Sequence, residues 1–302
     1  MKLQAQRPKL KGNPKLCSLV WRGLKPGCRM ILAIVAGVYL TLCVGLTLTQ
    51  RSLIYHPCRE KPAALVARAK AHGFENWQSA HGEFMGWKRL SKTRPAIAGV
   101  LILHGNAGCA LDWTHYADGL QRSAALDVYL LEYPGYGGRP GSPSQESLFR
   151  SGTAALQALD SVRRVYLVGE SLGTGVAAYL AGSFPDRVSA VLLVAPFNNL
   201  SAVAQHHLKI FPARCMLRDK FRSDRWLRHY SGPVGFLLAG RDRVVPIRFG
   251  RRLYHSYAGP KRLWVMPHAG HEDLHERAPD WWKEALDFLG MTNAPSPCPL
   301  TR

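Results

Sequence analysis

Val165-Tyr166-Leu167-Val168-Gly169-Glu170-Ser171-Leu172-Gly173-Thr174-Gly175-Val176-Ala177-Ala178 is the stretch whose reading decides the fold. Its apolar start reads as a buried strand, and its small-residue end reads as a closely packed helix. Between them Gly169-Glu170-Ser171-Leu172-Gly173 gives Gly-x-Ser-x-Gly, a sharp strand-to-helix turn. Such a turn forces Ser171 into a strained conformation, and bulky residues two positions to either side would collide with adjacent strands. The helix that starts there aims backbone N–H groups at the place where a negative charge would develop.

Outward from this turn the pattern repeats. Ile97–Leu103, Leu126–Glu132, Arg164–Val168, Ala190–Val194, Val234–Ala239 and Leu263–Met266 are apolar runs bounded by Gly, Pro or charge, and read as buried parallel strands. Ser144–Leu159, Leu172–Ser183, Ile247–Tyr257 and Pro279–Leu289 carry helical spacing between them. Alternating strands and helices predict an α/β fold, a mostly parallel central sheet with helices on both faces. Ligands bind such sheets beyond the carboxyl ends of the strands. Phe197–Tyr230 breaks the alternation, is rich in Arg, Lys and aromatics, and reads as a short lid insertion.

A serine hydroxyl needs a base to take its proton, and the base needs an orienting acid. Asp242 follows the strand ending at Ala239, and His271 lies in the loop after Leu263–Met266. The order Ser171, Asp242, His271 is the one this kind of sheet requires. Asp219 and Asp224 fall in the lid and are weaker acids for the role, while His268 competes with His271. His104-Gly105-Asn106-Ala107-Gly108 follows the strand Ile97–Leu103, and its glycines let backbone approach a substrate. The backbone N–H groups of Asn106 and Leu172 are the expected oxyanion donors, each able to contribute about 3 kcal/mol in a transition state. His104 reads as a structural hydrogen-bonding residue.

The 302-residue chain carries a net charge of +20, and eight of those charges lie in residues 1–29, leaving +12 for the rest. No nucleic-acid module accompanies the charge, so nucleic acid is not an expected partner. The basic segment 1–29 instead precedes Met30–Leu48, 19 residues without a charge, which as a helix would span about 28 Å of bilayer. The exit Leu46-Thr47-Leu48-Thr49-Gln50-Arg51 lacks a small-x-small cleavage site, and Leu42 before Cys43 rules out a lipoprotein signal. The expectation is therefore a basic cytoplasmic tail (1–29) and a single-pass signal anchor (30–48). A catalytic domain (51–290, with 197–230 as lid) and a tail (291–302) follow it on the extracytoplasmic or periplasmic side. Membrane lipid is then an expected partner. Cys17, Cys28, Cys43, Cys58, Cys109, Cys215 and Cys298 contain no Cys-x-x-Cys pair, which gives neither a zinc cluster nor a redox dithiol. The last four can bridge in an oxidising compartment, in a pairing the sequence does not specify.

Residues 51 to 290 resemble the α/β-hydrolase superfamily, above all its membrane-anchored, BEM46-like (α/β-hydrolase domain-containing) branch. The resemblance rests on Arg51-Ser52-Leu53-Ile54-Tyr55-His56-Pro57, His104–Gly108, Glu132-Tyr133-Pro134-Gly135-Tyr136-Gly137, Gly169–Gly173, Gly240-Arg241-Asp242 with Val245-Pro246, and Gly270-His271. It implies a serine hydrolase working through a Ser171–His271–Asp242 triad and an acyl-enzyme, without metal or other cofactor. Esters, thioesters and amides all occur among the branch's substrate classes, so the acyl substrate is a small molecule, a lipid or a peptide. Glu132 stands where the branch commonly has Asp, Pro134 where it often has Arg, and both read as distant from the chemistry; Cys109 beside the oxyanion loop is unusual.

Two other readings compete. His271-Glu272-Asp273-Leu274-His275 matches the His-Glu-x-x-His zinc-peptidase pattern, which needs one continuous helix. Pro267 and Gly270 put His271 in a loop instead, and Ala278 replaces the glycine of the extended pattern. The other reading is a catalytically silent, membrane-bound interaction module of the same fold, against which the three intact triad residue types argue.

Overall fold

A computed structural model describes residues 25–58, 60–93, 95–162, 164–275 and 279–292. The chain divides into two compact units, Met1–Thr49 and Gln50–Arg302. Most of the expected tail 1–29, the tail from residue 293 onward, and Cys17, Ala278 and Cys298 lie outside the described residues.

The apolar segment of the first unit runs within one helix, α1 (Pro26–Ile54, 29 residues), whose last five residues belong to the second unit; it is long and apolar enough to cross a membrane. Thr41, Thr47 and Thr49 turn their hydroxyls back onto the carbonyls of Gly37, Cys43 and Gly45, so their polar groups are met inside the helix.

In the second unit, the sheet has eight strands. In chain order they are β2 (Glu75–Gln78), β3 (Phe84–Arg89), β4 (Ala98–Leu103), β6 (Leu126–Leu131), β7 (Val165–Glu170), β8 (Val188–Val194), β9 (Val234–Ala239) and β10 (Lys261–Met266). Across the sheet the order is β10-β9-β8-β7-β4-β6-β3-β2, parallel except where β3 pairs with β6 and with β2. A second, two-stranded sheet pairs β1 (His56–Pro57) with β5 (Ala107–Gly108), also parallel.

The two faces of the sheet follow from alternation along each strand. On β4, Leu101 and Leu103 join one core, with Leu167, Val176, Leu180 and Phe236. Val100 and Ile102 join the other, with Tyr116, Leu120, Val168 and Trp282. Helices α4 (Gln145–Gln157), α5 (Leu172–Ser183) and α9 (Arg248–Ser256) cover the first face. Helices α2 (Pro62–Ala71), α3 (Thr114–Ser123) and α10 (Pro279–Phe288) cover the second. Each fully buried aliphatic side chain contributes about 1.5–3 kcal/mol. β4 and β9, buried at all six positions, are therefore the centre of the structure.

The segment expected as a lid is more integrated than its composition implied. It holds three short helices, α6 (Leu200–His207), α7 (Ala213–Met216) and α8 (Ser223–Trp226). Phe197, Phe221, Leu227 and Tyr230 lie in the core, and Trp226 packs edge-on to Tyr179 and Phe149. Trp226 thus holds the segment's return to the sheet. Leu208, Lys209 and Ile210 are exposed, so any covering role narrows to the stretch between α6 and Asp219.

Candidate active site

β7 runs two residues further than its apolar stretch, to Glu170, and α5 begins at Leu172, so Ser171 alone makes the turn. It sits at φ 48° and ψ −114°, in a region that L-residues rarely adopt. Its N–H donates to the Val194 carbonyl at 2.9 Å, and its own carbonyl accepts from Thr174 N–H (3.0 Å) and Thr174 Oγ1 (2.6 Å). A Cβ at position 173 would stand 2.0 Å from the Leu103 carbonyl oxygen of the neighbouring strand. At position 169 the obstacle is the new helix itself, with the Gly173 carbonyl at 2.7 Å. Only one of the two glycines therefore answers to an adjacent strand.

Asp242 lies three residues beyond β9 and His271 five beyond β10, so the sheet brings both to the carboxyl end where Ser171 stands. Gly240 N–H donates to Met266 O and Arg241 N–H to Ala269 O, both at 2.9 Å, which ties the two loops together. The Asp242 carboxylate is buried. One oxygen accepts from Val244 N–H (2.8 Å) and Val245 N–H (2.7 Å); the other accepts from His271 Nδ1 at 2.6 Å. His271 Nε2 is 3.0 Å from Ser171 Oγ, which donates to it. Burial alone would lower the His271 pKa. The hydrogen bond and charge of Asp242, with Glu272 and Glu170 nearby, outweigh burial and hold it above its ordinary 6.5.

Of the competing residues, Asp219 is buried but faces away from this site, accepting from Tyr55 Oη (2.9 Å) and Arg51 Nε (3.2 Å). Asp224 pairs with Arg222, and His268 with Arg241 at 3.2 Å. Glu272–His275 forms a single 3-10 turn, so His271 and His275 are not successive on one α-helical face. Both ring nitrogens of His271 are already engaged, by Asp242 and Ser171.

Asn106 and Leu172 flank Ser171 on the wall of the same apolar pocket. Asn106 is held at two groups: its carbonyl accepts from His56 N–H (2.8 Å) and Tyr136 Oη (2.7 Å), and its side-chain amide donates to the Ile54 carbonyl (2.9 Å). His104 is buried, its Nδ1 donating to the Gly105 carbonyl at 2.8 Å. Glu132, expected to lie away from the chemistry, supports the loop that carries Asn106. It is fully buried beneath this loop, accepts Ala110 N–H at 3.1 Å, and stands 3.4 Å from His104 Nε2. Tyr133 and Tyr136 pack on the His104 ring. This supporting shell escaped the sequence because its partners lie some thirty positions apart, with no fixed spacing to betray them. The one available signal was the run of aromatic and glycine residues from Tyr133 to Gly138.

Ser171 opens onto two different spaces. On one side is a cleft of mixed lining, about 440 Å³, where Asp112, His115, Glu170, Glu272 and His275 stand beside Trp113 and Leu274. On the other is an apolar pocket of about 220 Å³, bordered by Leu53, Ile54, Phe197, Leu200, Val203 and Leu217. Phe197, Leu200, Val203 and Leu217 all come from the inserted segment.

The profile of the alpha/beta hydrolase fold family matches residues 100–214. The chain is 32% identical over 250 residues to an uncharacterised protein of Mycobacterium tuberculosis, covering 80% of this chain and 88% of that protein. It is 31% identical over 252 residues to the lysophosphatidylserine lipase ABHD12 of Rattus norvegicus, covering 72% of this chain and 61% of that protein. The chain thus spans about three fifths of that lipase's length. Among solved structures, an esterase of Pyrococcus furiosus superposes with a TM-score of 0.58 at 13% identity, covering 80% of this chain and 99% of its own; this likeness speaks for the fold alone. A matching family profile, a relative aligned over nearly its whole length, and a serine on a strained strand-to-helix turn lead to one conclusion: this chain belongs to the α/β-hydrolase superfamily, among its serine hydrolases.

Proposed function

We propose that the protein hydrolyses single-chain acyl esters carrying a polar headgroup, at a membrane surface. The position of Ser171 between an apolar pocket and a cleft bearing the charged and polar groups of Asp112, His115, Glu170, Glu272 and His275 carries this reading. An acyl chain fits the first and a hydrophilic leaving group the second, with the scissile carbonyl against Oγ. His271 takes the Ser171 proton as Oγ attacks, Asp242 stabilises the imidazolium, and the N–H groups of Asn106 and Leu172 meet the oxyanion. His271 then gives its proton to the leaving alcohol. Water, activated by the same imidazole, cleaves the acyl-enzyme. The name of the ABHD12 relatives, lysophosphatidylserine lipases, agrees with this division of the site. α1 would hold the site at the bilayer, with the N-terminus cytoplasmic and the hydrolase domain outside.

The test is a substrate panel on the detergent-solubilised protein: monoacyl glycerophospholipids, their diacyl counterparts and short-chain esters. Monoacyl lipids should be cleaved at least tenfold faster, in kcat/KM, than diacyl lipids. Turnover should vanish in Ser171→Ala. Equal rates on all three classes would refute the substrate assignment while leaving the serine chemistry standing.

A further inference from the structure

We infer that Cys58 and Cys109 form a disulfide site that ties the chain leaving α1 to the oxyanion loop. Sequence left the pairing of the cysteines open, and the small sheet supplies it. β1 and β5 run parallel in the register His56↔Ala107 and Pro57↔Gly108, and Cys58 N–H continues the ladder to the Gly108 carbonyl at 2.8 Å. One step further along this register Cys58 stands opposite Cys109. Their sulfurs lie within 4.8 Å of each other, and both are thiols in this structure. Neighbouring strands hold such Cα atoms about 5 Å apart, inside the range a disulfide spans.

The same cluster includes the Glu60 carboxylate, and two thiols with one carboxylate also form a metal-type donor set. The surrounding charges favour the cross-link. Arg68 already pairs with both Glu60 and Asp112, so the one carboxylate of the cluster is engaged by a guanidinium. Asp112 in turn accepts Cys109 N–H at 2.8 Å.

The order of events follows from access. Cys109 is fully buried, whereas Cys58 is half-buried. The Cys58 thiolate attacks an external disulfide such as oxidised glutathione, forming a mixed disulfide and releasing one thiol. Cys109 then loses its proton and attacks Cys58 Sγ, expelling the second thiol. Two protein thiols are oxidised, and one external disulfide is reduced to two thiols. Burial, followed by the carboxylates of Glu132 and Asp112, holds the Cys109 thiol well above its ordinary pKa, which makes Cys58 the thiol that attacks first. The closed loop of about 50 residues contains β2, β3 and β4, and its cross-link would fix Asn106 from a second side.

The full-length protein in detergent, incubated with oxidised glutathione, alkylated, digested and analysed by mass spectrometry, tests the site. The expected product is a Cys58–Cys109 linked peptide. Reduction should then lower the thermal midpoint by roughly 5 °C in the parent and leave it unmoved in Cys58→Ser. Free, alkylated thiols at both positions, glutathione retained on Cys58 alone, or one zinc ion per chain held by the two thiols would each overturn the assignment. A linked pair whose reduction leaves the parent's midpoint unchanged would contradict the tethering. The measurement does not depend on what substrate the serine acts upon.

Discussion

Ser171 occupies backbone angles that cost about 1–3 kcal/mol, and the hydrogen bonds around it hold it there. Thr174→Val, which removes the 2.6 Å hydroxyl bond to the Ser171 carbonyl, should destabilise the fold by about 1 kcal/mol and lower kcat, as urea unfolding and ester kinetics would show. Gly173→Ala should cost more than about 3 kcal/mol, because its methyl has nowhere to go beside Leu103. His271 acts as a base only when neutral. With its pKa held above 6.5, kcat/KM should fall with acid along a limb lying above that value. Asp242→Asn removes the carboxylate that outweighs burial, so the limb should shift downward while the rate drops about 10⁴-fold. The meeting of Ser171, Asp242 and His271, the proposed nucleophile, acid and base, was legible because each follows an apolar run that declares itself a strand. Glu132, Tyr133 and Tyr136 were not, since their partners are set by the packing of β6 against β4.

At the scale of elements, the inserted segment is fastened where α1 ends. Gln50 accepts Arg218 N–H at 2.7 Å, while Arg51 and Tyr55 share the buried carboxylate of Asp219. Asp219→Ala leaves the Tyr55 hydroxyl buried without its acceptor, and should destabilise the Gln50–Arg302 unit by about 2 kcal/mol in urea. Breaking the exposed Arg222–Asp224 pair should cost under about 0.5 kcal/mol in the same measurement. Lys209, Arg214, Arg218, Lys220, Arg222, Arg225 and Arg228 are all exposed. Binding of residues 50–302 to anionic vesicles should fall as salt rises, and should weaken when several of these cations are neutralised. Element boundaries were legible where burial is complete. β9 runs from Val234 to Ala239 as read from the sequence, because Pro233 and Gly240 bracket an unbroken apolar run. β2 and β3 went unseen because exposed Glu75, Asn76 and Gln78 and the glycine at 86 hide their alternation. α3 was hidden by its polar face of His115, Asp118, Gln121 and Arg122.

At the scale of the whole molecule, Leu53 and Ile54, the last residues of α1, border the apolar pocket beside Ser171. With eight basic residues and no acid before Met30, the N-terminus should remain in the cytoplasm. A phosphatase that matures only in an oxidising compartment, fused after Arg302, should therefore be active. An inactive fusion, with a fluorescent cytoplasmic reporter working at the same position, would place the domain inside. The central claim is that Ser171 is the nucleophile of a working triad, and covalent capture reads it most directly. A fluorophosphonate probe should label the full-length protein at one site, mapped by mass spectrometry to the Ser171 peptide. Labelling should be lost in Ser171→Ala and slowed at least a hundredfold in His271→Ala, with thermal midpoints close to the parent's. Equal labelling of Ser171→Ala and the parent would contradict the account.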